Sequence, residues 1–214
     1  LLGYGDYTSY REKLAALADA NTRFMIWGPT INEQPGHSIG CDNVDGGYQA
    51  TRHLLQTGHR RIAFLGSTSQ RSPELAGRYD GYCKALREAG IEPDDGLKVD
   101  AYSSDGEGYR AVRELLDRDA KFDALFAVTD VIAIDAMHAL EDNGLSVPGD
   151  VAVVGFDDIL LAAHVSPPLT TVRQDIRQAA EGLVRGIVGL IEGEPVESSL
   201  MAPQLVVRAS CGAP

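Results

Sequence analysis

Two apolar patterns alternate along the chain. Short continuously apolar runs read as strands buried on both faces, and segments with apolar residues every three or four positions read as helices. Tyr10, Leu14 and Leu17 fall at helical spacing and predict a first helix over Tyr7–Ala20. A short strand, Phe24–Trp27, follows and is broken by Gly28-Pro29; a polar loop turning at Pro35-Gly36 leads to a second strand, Ser38–Cys41. Asp42 and Asn43 offer cap side chains for a helix carrying Val44, Tyr48, Thr51, Leu54 and Leu55 on one side, and Gly58 closes it. The pattern then repeats. Ile62–Leu65 is a strand, and Pro73 opens a helix with Leu75, Tyr79, Tyr82 and Leu86 that ends at Gly90. Val99–Tyr102 reads as a strand, and Tyr109, Val112, Leu115 and Leu116 as the inner side of the next helix. Ala124–Val128 is a strand, Thr129-Asp130 opens a helix closed by Gly144, and Val151–Val154 is the next strand. Beyond Pro167-Pro168 come a short strand, Thr170–Val172, a long helix, Ile176–Glu192, a turn-rich stretch, Gly193–Ser199, and a last strand, Leu205–Val207. Such alternation implies an α/β fold built on doubly wound parallel sheets.

In sheets of this kind the loops leaving the strand C-terminal ends converge on one crevice. Those positions are Trp27-Gly28, Gly66-Ser67, Tyr102-Ser103, Thr129-Asp130 and Phe156-Asp157, with Arg78 one turn into the following helix. Carboxylates accept from sugar hydroxyls, a guanidinium donates as a planar fork, and aromatic faces cover the apolar side of a pyranose. The set suits a neutral polyhydroxyl ligand better than a nucleotide. Plainer roles stand beside each of these. Asp130 directly precedes a helix and reads equally as an N-cap, Asp157 as a cap of its own turn, Trp27 as core, and Arg78 as the partner of a surface acid such as Glu74 or Asp80.

Composition narrows the classes. With 44% hydrophobic and 23% charged residues the chain is an ordinary globular protein, and no apolar run is long enough to span a membrane. A formal charge of -12 argues against this segment gripping a phosphate backbone. Cys41, Cys83 and Cys211 are odd in number and widely spaced, which speaks against a disulfide framework or a zinc site and for a reducing cytoplasm. Enzyme signatures are poor: no G-x-S-x-G, P-loop or H-E-x-x-H occurs, and the five histidines lack ligand spacing. Neither an enzyme nor a bound cofactor or metal is expected.

Four stretches, in order, together resemble the bacterial LacI/GalR transcriptional regulators: Cys41–Gly66 (CDNVDGGYQATRHLLQTGHRRIAFLG), Arg78–Ile91 (RYDGYCKALREAGI), Thr129–Asp158 (TDVIAIDAMHALEDNGLSVPGDVAVVGFDD) and Ser166–Asp175 (SPPLTTVRQD). The resemblance implies a periplasmic-binding-protein-like domain of two lobes joined by crossing strands. Residues 1–40 and 174–203 would form one lobe and residues 41–173 and 204–214 the other, with the DNA-binding head and the first units of the N-lobe lying outside this chain. By position, Asp157 and Arg78 look like the family's effector contacts, Thr129 stands where sugar-binding members place Asn, and Asp130 follows it. Ser103 falls where some members carry a stacking aromatic, so stacking would pass to Tyr102 or Trp27, while Gln174 and Ile176 match pocket positions at the crossing expected near Val172–Asp175. The implied function is a cytoplasmic, homodimeric regulator, usually a repressor, controlled by a small sugar or sugar-like effector, a mono- or disaccharide, and reaching operator DNA through its head. A periplasmic sugar receptor of a transport system is the alternative with the same fold.

Overall fold

The computed structural model describes residues 7–30, 34–69, 71–102, 104 and 106–212. In chain order the elements are α1 (Tyr7–Asp19), β1 (Met25–Trp27), β2 (His37–Cys41), α2 (Asn43–Gln56), β3 (Ile62–Leu65), α3 (Pro73–Glu88), β4 (Lys98–Val99) and α4 (Glu107–Asp117). They continue with β5 (Ala124–Ala127), α5 (Asp130–Asp142), β6 (Ala152–Asp157), β7 (Thr170–Arg173), α6 (Ile176–Glu192), β8 (Ser199–Met201) and β9 (Gln204–Val206). Local chemistry explains most boundaries. The Asp42 carboxylate accepts from the Asp45 N–H to cap α2, Thr129 caps α5, and Asp175 caps α6 by accepting from the Gln178 N–H. Gly193, at φ +79°, ends α6 in the left-handed region that glycine enters without strain.

The strands form two sheets, a small one in the order β1-β2-β8 and a six-stranded one in the order β4-β3-β5-β6-β7-β9. All pairings are parallel except β7 with β9. The chain passes between the sheets three times: from β2 into α2, from β7 into α6, and from β8 into β9. The first and third passages are tied by a backbone bond, Asp42 N–H donating to Met201 C=O at 2.9 Å.

Each sheet has its own core. The large one centres on Phe64, Phe126 and Phe156, fully buried among the β3, β5 and β6 aliphatics, whereas the small one rests on Met25, Ile39, Ala179 and Met201. Burial on this scale, at about 25 cal/mol per Å² of apolar surface, dominates the folding free energy.

Three expectations from the pattern change. The strand placed at Val99–Tyr102 is only Lys98–Val99, because its partner β3 ends at Leu65 and an edge strand has no other neighbour to extend along. The strand placed at Val151–Val154 runs on to Asp157, because β7 supplies a partner as far as Arg173. Ser199, placed in a loop, begins β8, whose pairing with Ile39–Cys41 outweighs an exposed, unpatterned sequence.

Helices α2 and α3 meet almost backbone to backbone. A Cβ on Gly47 would lie 2.1 Å from the Arg78 carbonyl oxygen, and one on Gly81 would lie 2.1 Å from that of Val44. Two glycines therefore set how deeply the Arg78 backbone seats against α2. Gly47→Ala and Gly81→Ala are each expected to lower stability by about 1–3 kcal/mol through overpacking, read as a shifted urea midpoint. An unchanged midpoint in both would refute this account.

Candidate ligand-binding site

Arg78 is only 5% exposed, and a guanidinium at that depth requires compensation from every side. Its Nε donates to Asn43 Oδ1 at 2.8 Å, and its Nη1 donates to the Val128 carbonyl at the end of β5. The guanidinium carbon sits 3.6 Å from the centre of the Phe156 ring, a cation–π stack. Nη1 also lies 3.5 Å from Asp157 Oδ1, the one ion pair of Arg78 among the described residues and a long one. Glu74 feels the arginine's charge, but neither it nor Asp80 comes within ion-pair distance.

Asp157 ends β6 with φ +111°, outside ordinary strand geometry. Its Oδ1 accepts from Gln174 Nε2 at 2.7 Å as well as facing Arg78. Burial pushes its carboxyl pKa up; the charge of Arg78 and the hydrogen bonds from Gln174 and Arg78 offset this only in part. Gln174 stands just past β7, where the chain leaves the large sheet for α6. A side chain from a crossing segment thus touches the carboxylate at the end of β6. Gln174 and Ile176 also line a cavity of about 360 Å³ beside Ala202 and Gln204 of the third passage.

Two residues read as ligand contacts are turned inward. Asp130 is fully buried: Oδ1 accepts from the Thr171 hydroxyl at 2.5 Å, and Oδ2 accepts from the Ile159 N–H at 2.9 Å. Both oxygens thus serve the fold, and the expectation of a ligand contact is corrected. Nor does Asp130 cap α5, since that role belongs to Thr129, itself buried with its hydroxyl accepting from Ile132 N–H. Trp27 packs half-buried against the small core, and Tyr102 is 53% exposed beyond the edge strand β4. Among the described residues neither has a hydrogen bond or ring contact with Arg78 or Asp157. Ser103 lies outside the described residues.

The site also contains contacts that sequence reasoning did not assign to it. Asn43, read only as a cap, orients Arg78; Phe156, read as a crevice position beside Asp157, stacks on the guanidinium. Asp158 lies between two arginines, Arg173 and Arg208, each at 2.6 Å. Its carboxyl is raised by burial, but the hydrogen bonds from Arg208 and Arg173 more than offset that and bring it below the usual range. No periodicity signals such contacts, which join positions 15 and 50 residues apart. Among the described residues no group of three or more His, Cys, Asp or Glu side chains is placed to hold a metal ion.

Burial pushes the Asp130 carboxyl up to about 7, against the lowering bonds from Thr171 and Ile159. Because the folded pKa exceeds the unfolded one, folding takes up a proton. The Asp130 contribution therefore costs stability progressively as pH rises from about 4 to about 7. Asp130→Asn keeps an acceptor for Ile159 and removes the titration. Its urea midpoint should fall less than the wild type's between pH 5 and pH 8, and parallel pH profiles would count against the assignment.

The family model for the periplasmic binding protein-like domain matches residues 51–211. The regulator CelR of Thermobifida fusca is 39% identical over 198 residues, 91% of this chain and 58% of its own length. The Escherichia coli regulator GalR is 37% identical over 185 residues, 84% of this chain and 54% of its own. The chain thus spans little more than half of these relatives. Among solved structures, a CelR–cellobiose complex superposes with a TM-score of 0.89 at 34% identity, covering 98% of this chain and 64% of that one. A sugar-binding regulator of the LacI family from Escherichia coli, complexed with phosphate, gives a TM-score of 0.84 at 31% identity, over 93% of this chain and 72% of that one. None of these relatives is an enzyme by name. The two parallel sheets, the crossing passages and these matches together make the chain a member of the periplasmic binding protein-like family, within the LacI/GalR regulators.

Proposed function

We propose that this chain is the effector-binding and dimerisation domain of a bacterial transcriptional regulator, a repressor whose hold on operator DNA is controlled by a small sugar. The reading takes residues 1–40 and 174–203 as one lobe, residues 41–173 and 204–214 as the other, and the crevice between them as the sugar site. The observation that carries it is the Gln174–Asp157 contact beside Arg78, which joins a crossing segment to the end of β6. Both contacts to Asp157 fall on Oδ1, which leaves Oδ2 as the acceptor for a sugar hydroxyl. Trp27, Tyr102 and Ile176 are the apolar surfaces available around a pyranose, and the cellobiose in the CelR complex supports a mono- or disaccharide as effector.

An effector acts only through different affinity for two lobe arrangements, so it must reward the arrangement in which both lobes reach it. Operator contact belongs to a helix-turn-helix head such as the relatives' names imply, since a chain of charge -12 is unsuited to a phosphate backbone. The protein then works in the cytoplasm; among the described residues no helix is long and apolar enough to cross a membrane. A second copy would cover Leu160 and Leu161, 83% and 52% exposed just beyond Asp158. The relatives named as regulators favour this role over the periplasmic receptor with the same fold.

Calorimetric titration of the full-length protein with glucose, galactose, ribose and cellobiose tests the reading. At least one sugar should bind, and Asp157→Ala should weaken it about ten- to hundredfold, the effect of deleting one paired polar contact. Wild-type affinity in that variant would remove Asp157 from the site. Sedimentation at micromolar concentration should show a homodimer, and a monomer would contradict the dimerisation role.

A further inference from the structure

Asp157 and Asp158 are consecutive non-glycine residues at positive φ, +111° and +54°. Side chains disfavour that region, and two such residues in a row persist only where the surroundings leave no alternative. The surroundings here are unusually complete. Asp158 N–H donates to Thr171 Oγ1 at 3.4 Å, and Ile159 N–H donates to the buried Asp130 carboxylate at 2.9 Å. The Asp158 carboxylate, 8% exposed, takes a guanidinium on each oxygen: Arg173 Nε on Oδ2 and Arg208 Nη2 on Oδ1, both at 2.6 Å.

The arginines are not equivalent. Arg173 closes β7 one residue before Gln174, the residue that holds Asp157 from the other side. Arg208 follows β9, and its Nη1 donates to Leu169 C=O at 2.8 Å while its N–H donates to Thr170 Oγ1 at 2.9 Å, so it is pinned to the start of β7. Asp158 therefore ties the turn to both strands that arrive from or depart for the small sheet. Its carboxylate makes no contact with Arg78 or Gln174, which serve Asp157.

We infer that Asp158 is a positioning residue for the effector: held between Arg173 and Arg208, it keeps the turn left-handed and aims the Asp157 carboxylate into the crevice. This rests on the sugar site proposed above. Without the clamp the turn relaxes toward negative φ, and Asp157 swings away from Gln174 and Arg78. Residues 157 and 158 then divide the labour, one meeting the ligand and the other fixing where it is met.

Asp158→Ala and Asp158→Gly in the full-length protein separate positioning from general stability. Both lose the clamp, but glycine adopts positive φ without strain and alanine does not. Titrated with cellobiose, or with whichever sugar of the panel binds best, at a temperature where circular dichroism shows every variant folded, Asp158→Ala should bind about tenfold or more weakly. Asp158→Gly should fall between Asp158→Ala and the wild type. Wild-type affinity in Asp158→Ala, even with a lowered melting temperature, overturns the inference, as does glycine binding no better than alanine. Asp157→Ala run alongside tells the failures apart. If it loses the sugar while the Asp158 variants keep it, the clamp alone is refuted; if it binds like the wild type, or if no sugar binds the wild type, the site falls and the clamp with it.

Discussion

A buried guanidinium needs partners from the fold, and Arg78 draws them from several elements at once. Asn43 at the start of α2, Val128 at the end of β5 and the Phe156 ring of β6 each cover one aspect of it. Asp157 stands beyond them, 3.5 Å from the same Nη1 that donates to Val128. The Gly47–Gly81 contact makes this possible by seating α3 against α2 without side chains between them. Core packing, a helix start and two strand ends thus converge on one charge, and the carboxylate of Asp157 is the partner left at long range.

Around that charge the acids sort themselves by neighbours rather than by type. Asp130, Asp157 and Asp158 lie within 29 positions of one another and all surround the start of α5 and the end of β6. Asp130 faces hydrogen-bond donors without a cation and is driven toward its neutral form; Asp158 faces two guanidinium groups and stays ionised. Asp157 is buried within reach of one cation, and burial still raises its carboxyl. Among the described residues, only the last keeps an oxygen without a hydrogen bond.

How much of this was legible follows from where each signal resides. The cap at Asp42, the closing glycines and the apolar runs are local, and the α/β class with nearly every helix is readable from them, although the cap of α5 proves to be Thr129 rather than Asp130. The short strand β8 is not, because Ser199 and Leu200 are exposed and become strand only through β2. The site divides the same way. Strand-end logic, sharpened by the family resemblance, places Asp157, Arg78 and Gln174 in one neighbourhood, and their contacts are seen. It does not reveal that Asp130 turns inward, since that depends on Thr171 of a strand 41 residues away. The Asp158 clamp is equally silent, for arginines at 173 and 208 meet it only once β7 and β9 are paired.

The third passage between the sheets has a mechanical consequence. Met201 is paired with Cys41 in the small sheet and Gln204 with Arg173 in the large one, so a single strand changes partners across only Ala202 and Pro203. Proline has no N–H and a fixed φ, so much of the torsional freedom at this point falls to its neighbours. With Asp42 bonded to Met201 on one side, a rotation of one sheet against the other has few torsions to turn on. The connection is therefore short and stiff, a built-in limit on how the two sheets can turn against each other.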